Sequence, residues 1–140
     1  MNTRLILATL AGGILYFFLG WLFYGVLLMD FYNANTVHYE GLMKEMPNLY
    51  LFAIGNLITA FLFSWIFQRW AGFRTLLKGL NGGLFLSFFI VLPFDLFFLG
   101  AWNLYSIKYI VVDIVTSTVL GGIIGGVIGW ILGFRLKEVK

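Results

Sequence analysis

IKYIVVDIVTSTVLGGIIGGVIGWILGF, residues 107–134, is the stretch whose reading decides the fold. It is apolar for longer than the ~20 residues a helix needs to cross a bilayer, so it reads as a membrane span. Two features sit on different faces of it. Asp113 places a carboxylate inside the hydrophobic run, and Gly121, Gly125, Gly129 and Gly133 form a ladder at four-residue spacing, with Gly122 and Gly126 beside it. At about 100° per residue, Asp113, Thr116, Ser117, Leu120 and Ile124 share one stripe, while the glycines drift towards its far side. One face is polar and faces inward. The other permits close helix contact.

The rest of the chain agrees. Its 140 residues are 61% hydrophobic and 11% charged, with mean hydropathy +0.96; soluble domains carry roughly 25% charged residues. The expected class is an all-α integral membrane protein: a single four-helix transmembrane bundle over residues 1–140, with spans at about 5–28, 49–67, 79–102 and 107–134. The run Leu5 to Leu28 is too long and too aromatic at its end for a cleaved secretory signal, and reads as a retained first helix. There is no cysteine, which removes disulfides, thiolate catalysis and Cys-ligated metals. Net charge +3 does not indicate nucleic-acid binding, because the basic residues sit at span ends, where they orient the helices.

Arg4, Arg69, Arg74, Lys78, Arg135, Lys137 and Lys140 fall on one side, against Lys44 and Lys108 on the other. Both termini are therefore expected in the cytoplasm, with the segment Asp30 to Asn48 facing outward. In that segment Tyr39, Leu42, Met43 and Met46 recur at helical spacing before Pro47, which predicts a short amphipathic helix on the membrane surface or capping the bundle. His38, Met43 and Met46 are too few to make a metal site, so none is expected, nor is a cofactor. Walker, HExxH, GxSxG and Rossmann signatures are absent, and no soluble-type catalytic machinery is indicated.

This topology brings polar groups to one depth. Asn56, Asp95 and Asp113 each lie about six or seven residues below the outer boundary of their spans, or ~10 Å. Trp21 and Tyr24, closing the first span, reach the same layer, and Trp102 lies on the stripe of Asp95 together with Asn81 and Phe88 at seven-residue spacing. Carboxylates within a bilayer face the bundle interior or a wet cavity. They need partners: each other through a shared proton, Asn56 or Tyr24, or Lys108 reaching inward as a counter-charge. Pro93 frees the carbonyl of Phe89 and is expected to open the third span beside a cavity.

Gly20-Trp21-Leu22-Phe23-Tyr24 at the end of the first span resembles the Gly-x-x-Trp-Tyr signature of a family of small bacterial four-helix membrane proteins, the domain-of-unknown-function family numbered 1761. Val111-Val112-Asp113 followed by the glycine-rich end of the fourth span extends the likeness. In this chain Trp21 and Tyr24 are separated rather than adjacent. The resemblance implies a four-helix fold in a bacterial inner membrane and brings no settled activity with it.

Three functions fit these residues. One is binding or transport of a small molecule or protons through an outward-facing pocket built on Asp95, Asp113, Asn56, Tyr24, Trp21 and Trp102. The second is an accessory or scaffold subunit of a larger membrane complex, or a homo-oligomer packed through Gly121, Gly125, Gly129 and Gly133. The third, an intramembrane enzyme using the two carboxylates as acid and base, lacks any residue that names a substrate. A purely structural role also fits the polar layer, since buried Asp, Asn and Tyr can hydrogen-bond to one another and fix helix assembly.

Overall fold

The structure, a computed structural model, describes residues 3–134. Its elements are α1 (Thr3–Leu22), a π-helical turn (Phe23–Leu27), α2 (Met29–Ala34), α3 (Leu49–Ile66), a second π-helical turn (Phe67–Ala71), α4 (Leu76–Ala101) and α5 (Ile107–Gly133). Four helical stretches are long and apolar enough to cross a membrane: Thr3–Leu27, Leu49–Ala71, Leu76–Ala101 and Ile107–Gly133. They fit a four-helix bundle and a multi-pass membrane protein. Most large apolar side chains of the first, second and third stretches point outward.

Helix ends are set locally. Asn48 accepts from the amides of Tyr50 and Leu51 at 3.1 and 3.3 Å to start α3; Thr75 and Ser106 cap α4 and α5 in the same way, each supplying an acceptor to orphan amides. Gly72, at φ 62°, takes the left-handed conformation that ends the α3 stretch, and Phe73 N donates back to Phe67 O at 3.0 Å. Arg4, Arg69, Arg74 and Lys78 gather at this end of the bundle. Lys44 and Lys108 lie at the opposite, loop end. Arg135, Lys137 and Lys140, expected on the basic side, lie outside the described residues.

The core runs between α1, α3 and α5, with Ala8, Ala60, Phe63, Phe67, Ile124, Ile128 and Leu132 fully or almost fully buried. A side chain at Gly12 would stand 2.8 Å from Ile128 Cδ1, and one at Gly13 2.6 Å from Leu57 Cδ2. These two glycines are thus the notch that receives α3 and α5. On the other side of α5 the glycine ladder packs against α4, backbone to backbone. A Cβ at Gly125 would lie 2.7 Å from Gly83 Cα, and one at Gly129 2.8 Å from Gly79 Cα. Gly121 meets Ser87, and Gly133 meets the backbone of Arg74. Within the chain the ladder packs against α4.

Three expectations need correction. No helix forms over Tyr39 to Met46, where the chain makes turns and bends with Gly41 at φ 76°; the short helix of this loop is α2, earlier in the chain. Helical spacing of four apolar residues was too short a pattern to outweigh a glycine suited to a left-handed turn. The seven-residue seam Asn81, Phe88, Asp95 and Trp102 is not the inner face of α4: Asn81, Phe88 and Trp102 are exposed, and the buried residues are Gly79, Gly83, Ser87 and Asp95. Small residues at four-residue spacing let α4 and α5 meet along rows of that period. Finally, α4 runs unbroken through Pro93, which is itself exposed.

Candidate functional site

The α4–α5 packing determines where the carboxylates meet. Ser87 stands opposite Gly121; eight residues further along α4 is Asp95, and eight residues back along antiparallel α5 is Asp113. Continuing the register brings the two side chains face to face. They are close enough for direct electrostatic and hydrogen-bonding interaction. Asp95 is 8% exposed, and its Oδ2 is buried without a hydrogen-bond partner. Asp113 is half-buried and has Tyr24 and Tyr32 within interaction range as well as Asp95.

Tyrosines close the site on the loop side. Tyr24, on the first π-helical turn, donates to or accepts from Ser117 Oγ at 2.7 Å, with Ser117 one turn beyond Asp113 on α5. Tyr32 of α2 stacks on Tyr24, ring centroids 5.1 Å apart and planes 18° from parallel, and meets the ring of Tyr109 at 4.7 Å and 62°. Tyr109, one turn before Asp113, stacks in turn on Tyr105 at 4.3 Å. The result is a continuous aromatic wall.

Tyr32 reaches this position because the loop is tied down. Val37 N donates to Leu104 O at 2.8 Å, Ser106 N donates to Asn35 O at 3.0 Å, and Ser106 Oγ bonds Asn35 Oδ1 at 2.9 Å. Thr36 and Tyr105 form an antiparallel bridge, and Thr36 Oγ1 donates to Tyr32 O at 2.8 Å. These bonds hold α2 across the end of the bundle like a cover. Tyr32 is 7% exposed, and its hydroxyl is buried with no partner at hydrogen-bond distance. Burial pushes this hydroxyl above the ordinary tyrosine range, and the nearby charge of Asp113 adds to the effect, although Thr116 opposes it. It therefore stays protonated and can act as a donor.

Of the residues expected in the layer, the structure gathers Tyr24, Asp95 and Asp113. It does not gather the others. Trp21 and Trp102 are 60% and 61% exposed and point away from the bundle. Asn56 is half-buried on α3, and it is not among the groups acting on either carboxylate. Lys108 is exposed and supplies no counter-charge. Ser117 lies on the stripe of Asp113 that the sequence indicated, but sequence reasoning missed Tyr32 and Tyr109. Tyr109 was detectable, being four residues before Asp113 on the same helix face; Tyr32 depends on the loop closure and left no local signal.

Chemically, the site offers two carboxylates, one with an unpartnered buried oxygen, beside tyrosine faces and hydroxyls. Among the described residues no lysine or arginine acts on the pair. Among the described residues no group of three His, Cys, Asp or Glu gathers to hold a metal ion. Compared with protein-family models, with curated proteins and with solved structures, the chain matches none.

Proposed function

We propose that this chain is a multi-pass protein of the bacterial inner membrane, with the basic end in the cytoplasm, that binds protons and a small organic cation at Asp95 and Asp113 as part of proton-linked transport. The resemblance to the family numbered 1761 belongs to this reading as a statement about architecture. One observation carries the function: two carboxylates are held together in an apolar bundle with no cationic side chain of the described residues acting on them. Leaving such a pair doubly charged and unpaired in hydrocarbon costs several kcal/mol. A proton or a bound cation offsets that cost.

The surroundings select the cation. Asp95 Oδ2 and the Tyr32 hydroxyl are buried oxygens without partners, which suits an ammonium group with N–H donors. The rings of Tyr24, Tyr32 and Tyr109 pack on one another beside Asp113, and a tyrosine ring at a cation site adds ~0.5–2 kcal/mol of attraction. Competition between proton and cation for the same oxygens couples the two: taking up one releases the other. In a membrane, that exchange is the elementary step of proton-coupled movement.

Titration calorimetry of purified protein with methylammonium and with tetramethylammonium tests this reading. Binding accompanied by proton release, strengthening as pH rises, is expected, with Asp95→Asn and Asp113→Asn each losing the proton release while remaining folded. Binding of either ion that is independent of pH, or unaltered by both substitutions, contradicts it.

A further inference from the structure

At the opposite end of the bundle a cavity of about 330 Å³ is lined by Leu5, Trp65, Gln68, Arg69 and Arg74. We propose that it is a binding site for the phosphodiester headgroup of an anionic phospholipid, whose chains lie along the outer face of α3. The site is independent of the carboxylate pair.

The local fold aims two cations at one volume. The π-helical turn Phe67–Ala71 carries Gln68 and Arg69, and the left-handed Gly72 reverses the chain so that Arg74 returns to the same cavity. Arg74 Nη1 donates to Leu132 O at 3.1 Å. That bond fixes the guanidinium at the carboxyl end of α5 and leaves its other N–H groups for a ligand. Arg69 has no hydrogen-bond or ion-pair partner among the described residues. No carboxylate of those residues lies at this end either: Asp30, Glu40 and Glu45 belong to the far loop, and Asp95 and Asp113 to the far half of α4 and α5. Among the described residues no carboxylate offsets the positive charge of the cavity, and guanidinium forks match phosphate oxygens.

The other walls distinguish a lipid from a soluble anion. Gln68 Oε1 is buried without a partner and can accept from a headgroup hydroxyl, as phosphatidylglycerol provides. Leu5 and Trp65 make the remaining lining apolar. Trp65 pairs edge-on with Trp70 at 4.8 Å, and aromatic pairs of this kind favour the headgroup level. Phe61 and Leu62, one turn deeper than Trp65 on α3, are exposed, which gives acyl chains an apolar track leading from the cavity. Basic pockets between spanning helices are suited to anionic headgroups.

Native mass spectrometry of the full-length protein, titrated with phosphatidylglycerol, with phosphatidylcholine of the same chains and with inorganic phosphate, tests the assignment. Wild-type protein is expected to retain phosphatidylglycerol in preference to phosphatidylcholine, with inorganic phosphate a poor competitor. Arg69→Gln, which removes no bond among the described residues, should weaken phosphatidylglycerol about tenfold, as loss of one charged hydrogen bond does. Adding Arg74→Gln should weaken it further. Equal retention of the two lipids, or an Arg69→Gln variant that binds phosphatidylglycerol as wild type does, overturns the proposal. Displacement of the lipid by inorganic phosphate at comparable concentration overturns the lipid assignment and makes a soluble phosphate the ligand.

Discussion

Gly125→Ala adds one methyl group where α5 and α4 meet backbone to backbone. Its Cβ would run into Gly79 O and lie 2.7 Å from Gly83 Cα and 3.0 Å from Gly83 N. Carbon atoms rest about 3.5–4.0 Å apart, and all three neighbours are backbone atoms, so no rotamer change relieves the overlap. The helices must separate by about 1 Å. Separation loosens the whole row formed by Gly79, Gly83 and Ser87 against Gly121, Gly125 and Gly129. Overpacking of this kind costs ~1–3 kcal/mol, a factor of roughly 5 to 150 in the folding equilibrium. Gly55→Ala supplies the control, because nothing stands within 4 Å of a Cβ there; at an open helical site alanine gains up to ~1 kcal/mol over glycine. Reversible unfolding in mixed micelles, titrated with dodecyl sulfate and followed by tryptophan fluorescence, should show the two variants moving in opposite directions. A Gly125→Ala protein at least as stable as wild type would refute the packing scheme and, with it, the register that brings Asp95 to Asp113.

Three further outcomes follow from particular contacts. Since the folded Tyr32 hydroxyl titrates above its unfolded value, its contribution to stability is complete below pH ~10 and is lost as pH rises through the folded value; Tyr32→Phe should flatten that alkaline loss, measured as thermal unfolding against pH. Ser106→Ala removes both the α5 cap and the bond to Asn35 and should cost about 1 kcal/mol, with faster hydrogen exchange at the Val37 and Ser106 amides as the local readout. Tyr24→Phe loses the Ser117 bond at a cost of ~0.5–1.5 kcal/mol. Ser117→Ala should then add little in the Tyr24→Phe background, a double-mutant cycle in chemical denaturation being the check.

Much of the fold was legible because a membrane span is encoded by length and composition over a whole window, which a few residues cannot disguise. Asp95 and Asp113, expected together from their distances to the span ends, do interact across α4 and α5. What escaped detection was rotational. Trp21 and Trp102 share the level of the carboxylates yet point outward, and a seven-residue spacing picked the wrong stripe of α4. The glycines of α4 were the missed signal: Gly79 and Gly83 repeat the four-residue spacing of Gly121, Gly125 and Gly129, and two such rows fit one another. Tyr32 reaches the site through Asn35, Thr36 and Ser106, contacts separated by about seventy residues in sequence. No local pattern records them.

A structure determined in lipid in the presence of methylammonium tests the central claim most directly. The account predicts density between Asp95 and Asp113, ringed by Tyr24, Tyr32 and Tyr109, in contact with both carboxylates and absent from the Asp113→Asn protein. A dry cluster in which the Tyr32 hydroxyl bonds Asp95 Oδ2 and no ion enters would contradict it, and would make the two carboxylates a device for assembling the helices.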